Sequence, residues 1–499
     1  MFNQSDQSAI ESLEPRPVWR FFAGIAATPR PSKHEQQIRA HTRRVAEQRG
    51  LKVREDAAGN MVIEVPASPG CENAQTVVLQ GHFDMVPEKN ADVPHDFQKD
   101  PIPVRIEQDT QTGRTIVTAA GTTLGADNGI GMALALAAAT EPDVRHGPLE
   151  LLNTVDEEAG MTGAKALAPD FFKGKILINL DSEEDNAIYI GCAGGCDTTL
   201  TWKLKLRPCP GNWQPIRVTV SGLRGGHSGG DIHRNRGNAN KVLARVLHGA
   251  LRGLRLAEIK GGSKRNVIPR EATALVCGSK RTRTALEAAA KEVRAQVAAE
   301  SDETGLKITV EPAGDQATRT VSPADTRRLV TALFAVPHGV HGMHQKVPNL
   351  VETSNNIGVI TSESEGDTLK VQLQALSRSS SKSLLHATRD QIEAVGQLAG
   401  AQAESGNEYP GWEPNPDSRT LATCRRIYKD LFGEEAHVAA IHAGLECGII
   451  NERMGNTLDT VSFGPTITGA HSPDELVYVD SVAKSWKFLK AVLAELAKT

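Results

Sequence analysis

Three apolar runs, Gln75–Gln80, Leu149–Val155 and Lys175–Leu180, constrain the fold of this 499-residue chain more than any other feature. Each is too continuous for a strand with one face in water, so each predicts a strand buried on both faces. Strands of that kind need helices on either side. Ala-rich Gly129–Thr140 and the stretch Thr162–Phe172 are the candidate crossovers, which makes the region α/β, with a mostly parallel mixed sheet flanked by helices. Upstream, the apolar spacing from Val18 to Gly50 is helical. Leu51–Val65 then gives two strand-like runs joined at Asp56-Ala57-Ala58-Gly59-Asn60, a hairpin signal.

The length exceeds what one hydrophobic core holds, and usual domain sizes give roughly two to four units. The texture changes after about Cys192. Strand-like Ile216–Val220, a helix over Asn238–Leu254, a strand around Ala272–Val276 and a charged helix over Thr282–Ala299 form one set. Strand Leu306–Val310, helix Ala324–Phe334, strands Ile357–Thr361 and Thr368–Leu376, and helix Lys382–Leu398 form a second. Together they predict a two-part antiparallel α+β insert, without a repeat in the residues themselves. Pro410–Pro416 marks the return to helix Thr420–Phe432, a strand-like run Ala436–Ile441, helix Leu445–Arg453, strand Thr460–Ser462 and a terminal helix Ser481–Ala497.

The chemistry sits where the buried strands end. His82, Glu157 with Glu158, and Asp181 each fall just past the last apolar residue of a run, at the carboxyl edge where open α/β sheets place their sites. Residues two apart at a strand end share a face, so Asp84 is placed to accept the other imidazole N–H of His82; an ordinary loop pair is the rival reading. Asp127 lies between Gly125 and Gly129, before the Ala-rich helix, where it could bridge cations or simply cap the helix. Asp156, Glu157 and Glu158 place three acids in a row, which costs like-charge repulsion unless cations lie nearby. A solvated acidic turn is the alternative, and the apolar run leading into it argues against that. One glutamate can ligate a metal while its neighbour moves a proton. With Asp181 and His471 the inventory suits two divalent metals, each taking one imidazole and one private carboxylate, with a third carboxylate shared. The chain reads as a hydrolase.

Bulk properties exclude other classes. Lys plus Arg total 56 against 60 Asp plus Glu, a net charge of -4, so there is no electrostatic footprint for nucleic acid or an anionic membrane. The expected partner is a small molecule. Met1–Arg20 carries Asp6, Glu11 and Glu14 and has no apolar core of the signal-peptide kind. Gly129–Thr140, the longest apolar run, falls short of the roughly 20 residues of a membrane span. Seven scattered Cys, with Cys192 and Cys196 only a weak pair, suit a reducing compartment, so the expected location is cytoplasmic.

The islands Gly81-His82-Phe83-Asp84, Gly121–Gly129, Asp156–Gly160, Leu180–Ser182, Arg224–Gly229, Tyr409-Pro410-Gly411-Trp412, Gly444–Gly448 and Gly469–Ser472 occur in one order over essentially the whole chain. That order resembles the co-catalytic zinc metallopeptidases that include aminoacylases, succinyl-diaminopimelate desuccinylases and cytosolic dipeptidases, and among them the aminoacyl-histidine (peptidase D, carnosinase-like) dipeptidases. The resemblance implies two Zn2+ per chain, with Mn2+ or Co2+ as alternatives: His82 and Asp181 on one metal, Glu158 and His471 on the other, Asp127 between them. It further implies Glu157 as general base and Asp84 as the group orienting His82. Asn128 departs from much of the wider family, where a second acid is common.

By the same resemblance, residues 1–191 and 409–499 form the catalytic domain and 192–408 an inserted α+β lid domain. In the lid, His227 is similar to a histidine that stabilises the oxyanion. Asn266 and Arg378 resemble residues that hold the substrate's free carboxylate; a turn histidine and an exposed strand arginine are the plain alternatives. The implied substrate is a dipeptide with a free C-terminus, Xaa-His among them. An N-acyl amino acid deacylase and a non-catalytic metal- or peptide-binding module are the rival functions. The free-amine contact is not identified, with Glu446 the candidate. His338, His341 and His344 read as a loop without a carboxylate. A monomer and a homodimer are both compatible with so long a lid.

Overall fold

The three apolar runs form the centre of an eight-stranded sheet. Val77–His82 lies between Leu149–Thr154 and Ile176–Asn179, parallel to both, and all three strands are buried throughout. This computed structural model describes residues 9–314 and 319–498, so the first eight residues of the N-terminal stretch read for a targeting signal lie outside the described residues. Asp459–Ser462 extends the parallel centre beside Ile176–Asn179. The hairpin Lys52–Glu55/Met61–Val65 adds an antiparallel margin at one side, and Ala187–Cys192 with His437–Ile441 completes the other. Helix Ala126–Thr140 covers this sheet, buried continuously from Asn128 to Ala138, which its Ala, Gly and Leu composition permits. Helix Arg16–Ala26 packs over it through Trp19, Phe22 and Ile25.

The chain divides into two compact units. The first is Met1–Gly191 with Pro414–Ala440 and Glu446–Thr499; the second is Cys192–Glu413 with Ile441–Leu445. The second unit is built on an antiparallel nine-stranded sheet in which Val351–Glu365, Thr368–Ser379, Gly194–Lys205 and Gln402–Tyr409 are successive neighbours. Its core packs helices Ala239–Gly249, Lys280–Glu300, Pro323–Ala335 and Lys382–Leu398 against that sheet through residues such as Leu243, Leu247, Leu286 and Leu329. Ser279 and Ser322 cap two of these helices with their hydroxyl oxygens, as their positions before charged helical runs suggest. None of the seven cysteines is in a disulfide. Among the described residues no helix is long and apolar enough to cross a membrane.

Several local expectations change. The crossover expected over Thr162–Phe172 is only the short helix Thr162–Ala166, because Pro169 follows and Leu167 is already extended. The helix expected to reach Leu254 stops at Gly249; Gly253 turns the chain at φ +74°, and Leu254 starts the strand Leu254–Gly261. Leu251 and Leu254 mimic helical spacing across that break. His341 lies in an irregular strand, Gly339–Met343, where a loop was expected. The hairpin Val104–Gln108/Thr115–Ala119 carries no continuous apolar signal because four of its first five residues are exposed.

One close contact ties helix to sheet edge. A Cβ on Gly131 would lie 2.3 Å from the Leu180 carbonyl oxygen and 2.5 Å from Asn128 Oδ1. Gly131→Ala is therefore expected to cost about 1–3 kcal/mol by overpacking, read as a lowered midpoint in denaturant titration.

Candidate functional site

The strand register brings the site residues to one level. His82 lies opposite Thr154 and Gln80 opposite Asn179, so the turn Asp156–Glu158 and Asp181 leave neighbouring strands side by side. Asp127 enters from the first turn of the Ala126–Thr140 helix, where the Asp127–Asn128 peptide is cis. His471 comes from the loop between the short strands Ile467–Thr468 and Leu476–Tyr478, held at φ +62°. These segments converge. His82 Nε2 lies 3.0 Å from Asp127 Oδ1 and 3.3 Å from Asp181 Oδ1. His471 Nε2 lies 3.3 Å from Asp127 Oδ2 and 3.0 Å from Glu158 Oε2. One ligand atom each of His82, Asp127 and Glu158 fits within 4.8 Å of the others. Asp84 Oδ1 is 3.3 Å from His82 Nδ1, and the same carboxylate accepts the backbone N–H groups of Glu157 and Glu158.

The second unit holds a separate polar cluster. His227, in the two-residue strand Gly226–His227, pairs with Val267, and the Asn266 carbonyl accepts the Ser228 N–H. The His227 Nδ1 accepts N–H groups from Gly229 and Gly230, which leaves the proton on Nε2 as an outward donor. Burial and the charge of Arg378 both lower its pKa. Arg378 is buried, 5% exposed, and donates to the Tyr409 hydroxyl at 2.7 Å. Ser354, across the ladder from Arg378, meets His442 Nε2 at 2.7 Å, and burial followed by Arg378 pushes His442 down to about 3.

Residues 78–495 match peptidase family M20/M25/M40. The chain belongs to that family. It is 41% identical to the cytosol non-specific dipeptidase of Escherichia coli, over 98% of this chain and 99% of the relative. Its structure is similar to that of an aminoacylhistidine dipeptidase from Vibrio alginolyticus, with a TM-score of 0.90, 44% identity, and coverage of 97% and 98% of the two chains. The aminopeptidase PepT of Bacillus cereus shares the fold, with a TM-score of 0.60 at 16% identity over 97% of this chain and 99% of that one.

For an M20 peptidase, a metal-dependent family, the decisive property of this cluster is its shortage of cation. Burial raises Asp181 to about 7, with His82 opposing and Asp127 adding repulsion. Burial likewise raises Glu157 well above the carboxylate range and brings Glu183 and Glu446 to about 8. The imidazoles respond in the other sense. Hydrogen bonds to Asp127 and Glu158 push His471 up to about 11, and on His82 the carboxylates of Asp181, Asp127 and Asp84 outweigh burial. A divalent metal reverses both trends, because it stabilises carboxylates and displaces imidazole protons. The residues fit such an ion: hard oxygen donors alternate with imidazole nitrogens, and Glu158 Oε1 is buried without a hydrogen-bond partner.

Three residues that hold this M20 site escaped the reading of the sequence. Glu475 is buried and accepts the backbone N–H groups of Leu124, Gly125, Ala126 and Asp127, which fixes the turn carrying Asp127. Arg30, also buried, donates to the carbonyls of Phe83, Asp84 and Gly125 and so joins two ligand-bearing loops. Asn128 donates to Asp181 Oδ1 at 2.5 Å and to the Leu180 carbonyl at 2.8 Å, so the position without a second acid positions one. Glu475 had a weak local signal, an acid four residues past His471; Arg30 had none.

Asp84 supports both the imidazole and the glutamate turn. Asp84→Asn puts an amide N–H against donors, and metal affinity is expected to fall about 10–100-fold, measured by competition with a chromophoric chelator.

Proposed function

We propose that this chain is a dinuclear dipeptidase that hydrolyses dipeptides with a free C-terminal carboxylate, Xaa-His peptides among them, using two Zn2+. The observation that carries the reading is Asp127, whose two oxygens face different imidazoles, His82 and His471, each with its own further carboxylate, Asp181 and Glu158. Two three-ligand sets sharing one residue are what a co-catalytic pair requires. Bound there, the metals polarise the attacking water and the scissile carbonyl. Glu157 is the base: it takes the proton of that water and passes it to the leaving amine, a task served by the raised affinity for protons that burial gives it. Asp84 holds His82 in the orientation that presents Nε2.

Recognition is assigned to the second unit, the lid of the proposed arrangement in which 1–191 and 409–499 are catalytic and 192–408 is inserted. Arg378 receives the substrate carboxylate with Asn266 assisting, and the Nε2–H of His227 serves the oxyanion. The E. coli relative carries "cytosol" in its name, which supports a cytoplasmic location. Glu446 is withdrawn as the amine contact, because its carboxylate is buried beneath Gln80 and Thr154, both of which donate to it.

Metal quantification joined to a dipeptide panel, with N-acylated amino acids as controls, tests the function. Two metals per chain and turnover that needs a free amine are expected; turnover of the acylated compounds alone overturns the reading in favour of a deacylase. Stripping the metal with a chelator should abolish activity, and adding Zn2+ should restore it. Glu157→Gln should keep its metals while kcat falls about 10²–10⁴-fold, so near-normal kcat removes Glu157 as the base.

A further inference from the structure

The motif Tyr409-Pro410-Gly411-Trp412 has no part in the chemistry assigned so far, yet its tyrosine lies at the end of the second unit's sheet beside Arg378. Both residues are register partners of Gly195: Arg378 pairs with it from the strand Thr368–Ser379, and Tyr409 from Gln402–Tyr409. The two side chains meet across a strand position that has no side chain of its own. A Cβ on Gly195 would lie 2.5 Å from the Tyr409 hydroxyl oxygen, and one on Gly444 would lie 2.8 Å from Tyr409 Cε2. Glycines at both positions leave the ring its seat.

The hydrogen bonds within this seat are incomplete in an informative way. Arg378 Nη1 donates to the phenol oxygen at 2.7 Å, while Arg378 Nε is buried and has no partner. Among the described residues no carboxylate comes within ion-pair distance of this guanidinium, although 5% exposure leaves it little water. A buried guanidinium with only a neutral partner is costly, and the cost is relieved by an anion. The phenol oxygen accepts from Arg378, so its own proton points away from the guanidinium, and no acceptor for it is found among the described residues. The pair therefore offers two convergent kinds of donor.

We propose that Tyr409 is a specificity-determining residue, which holds Arg378 by accepting one guanidinium N–H and donates its own O–H to the same substrate carboxylate. This rests on the reading that Arg378 receives that carboxylate. The test compares a dipeptide with its C-terminal amide in the metal-loaded wild-type enzyme, Arg378→Ala, Tyr409→Phe and the double variant. Loss of one hydrogen bond to a charged group predicts that Tyr409→Phe raises KM for the free acid about tenfold, with kcat within about twofold and the amide's KM unmoved. In the Arg378→Ala background the second substitution should raise KM by less than it does alone, because the part of its effect that acts through Arg378 is already lost. If Arg378→Ala leaves the preference for acid over amide intact, the carboxylate reading fails and this inference with it. If Arg378→Ala abolishes the preference but Tyr409→Phe leaves it unchanged, or shifts acid and amide alike, the inference alone is overturned.

Discussion

Concentrating carboxylates at the end of a buried sheet is the constraint that the first unit is built around. Each acid there is desolvated, and desolvation alone favours the protonated form, as the raised Asp181, Glu157 and Glu183 attest. The fold answers with dipoles before it answers with charges. Glu475 is met by four consecutive backbone N–H groups, and Asp84 by those of Glu157 and Glu158 together with the Ser32 hydroxyl. Arg30, a buried side-chain cation in this frame, is spent on three carbonyl oxygens. The carboxylates of Asp127, Glu158 and Asp181 are thereby left facing imidazoles, and among the described residues no lysine or arginine lies in ion-pair distance of them. That shortage of cation is the physical content of metal dependence here.

A layer of neutral polar groups lies behind the ligands and sets their level. Gln80 donates to Glu446 and accepts from Asn179; Asn179 accepts from Ser462, whose hydroxyl meets Ser182 at 2.6 Å; Thr154 donates to Glu446 at 2.5 Å. Thr154, Gln80, Asn179 and Ser462 lie at or near the carboxyl ends of four adjacent strands, so the network bonds the strands to one another by side chain where the ladder ends. A buried network of this kind favours one register over its neighbours, since a slip would strand several polar groups at once. A metal-binding cluster assembled from positions as far apart as His82 and His471 would need that precision, because metal coordination tolerates only small displacements.

What the sequence discloses follows from how locally each feature is determined. The buried parallel strands were legible because burial on both faces removes alternation, and their ends could be found to within a residue or two. His82, Glu157, Glu158 and Asp181 were legible because they follow those ends, and the structure brings them to one place with Asp127 and His471. The hairpin Val104–Gln108/Thr115–Ala119 was not, since its first strand is exposed over four of five residues and its second offers only a short apolar stretch. Arg30, Asn128 and Glu475 act on backbone or side chains brought near only by the completed fold. An arginine before a proline, an asparagine after an aspartate and a glutamate in a loop have many ordinary uses, and the nearness of Asn128 to Asp127 and of Glu475 to His471 does not tell what either residue holds.

The polar clusters of the two units differ in sign, and this bears on specificity more than any single contact does. The first unit's cluster is short of positive charge. The second gathers Arg378, His227 and His442 near a neutral phenol and a serine, and burial followed by Arg378 lowers the proton affinity of both histidines. Neutral imidazoles can donate without adding to the repulsion, so one fixed cation is surrounded by hydrogen-bonding groups that do not compete with it for an anion. On the proposed assignment of Arg378 to the substrate carboxylate, a site of that composition would discriminate by charge at one point and by geometry at the others. An amide in place of a carboxylate loses the charge term and presents N–H to donors, which is a larger penalty than a missing contact alone.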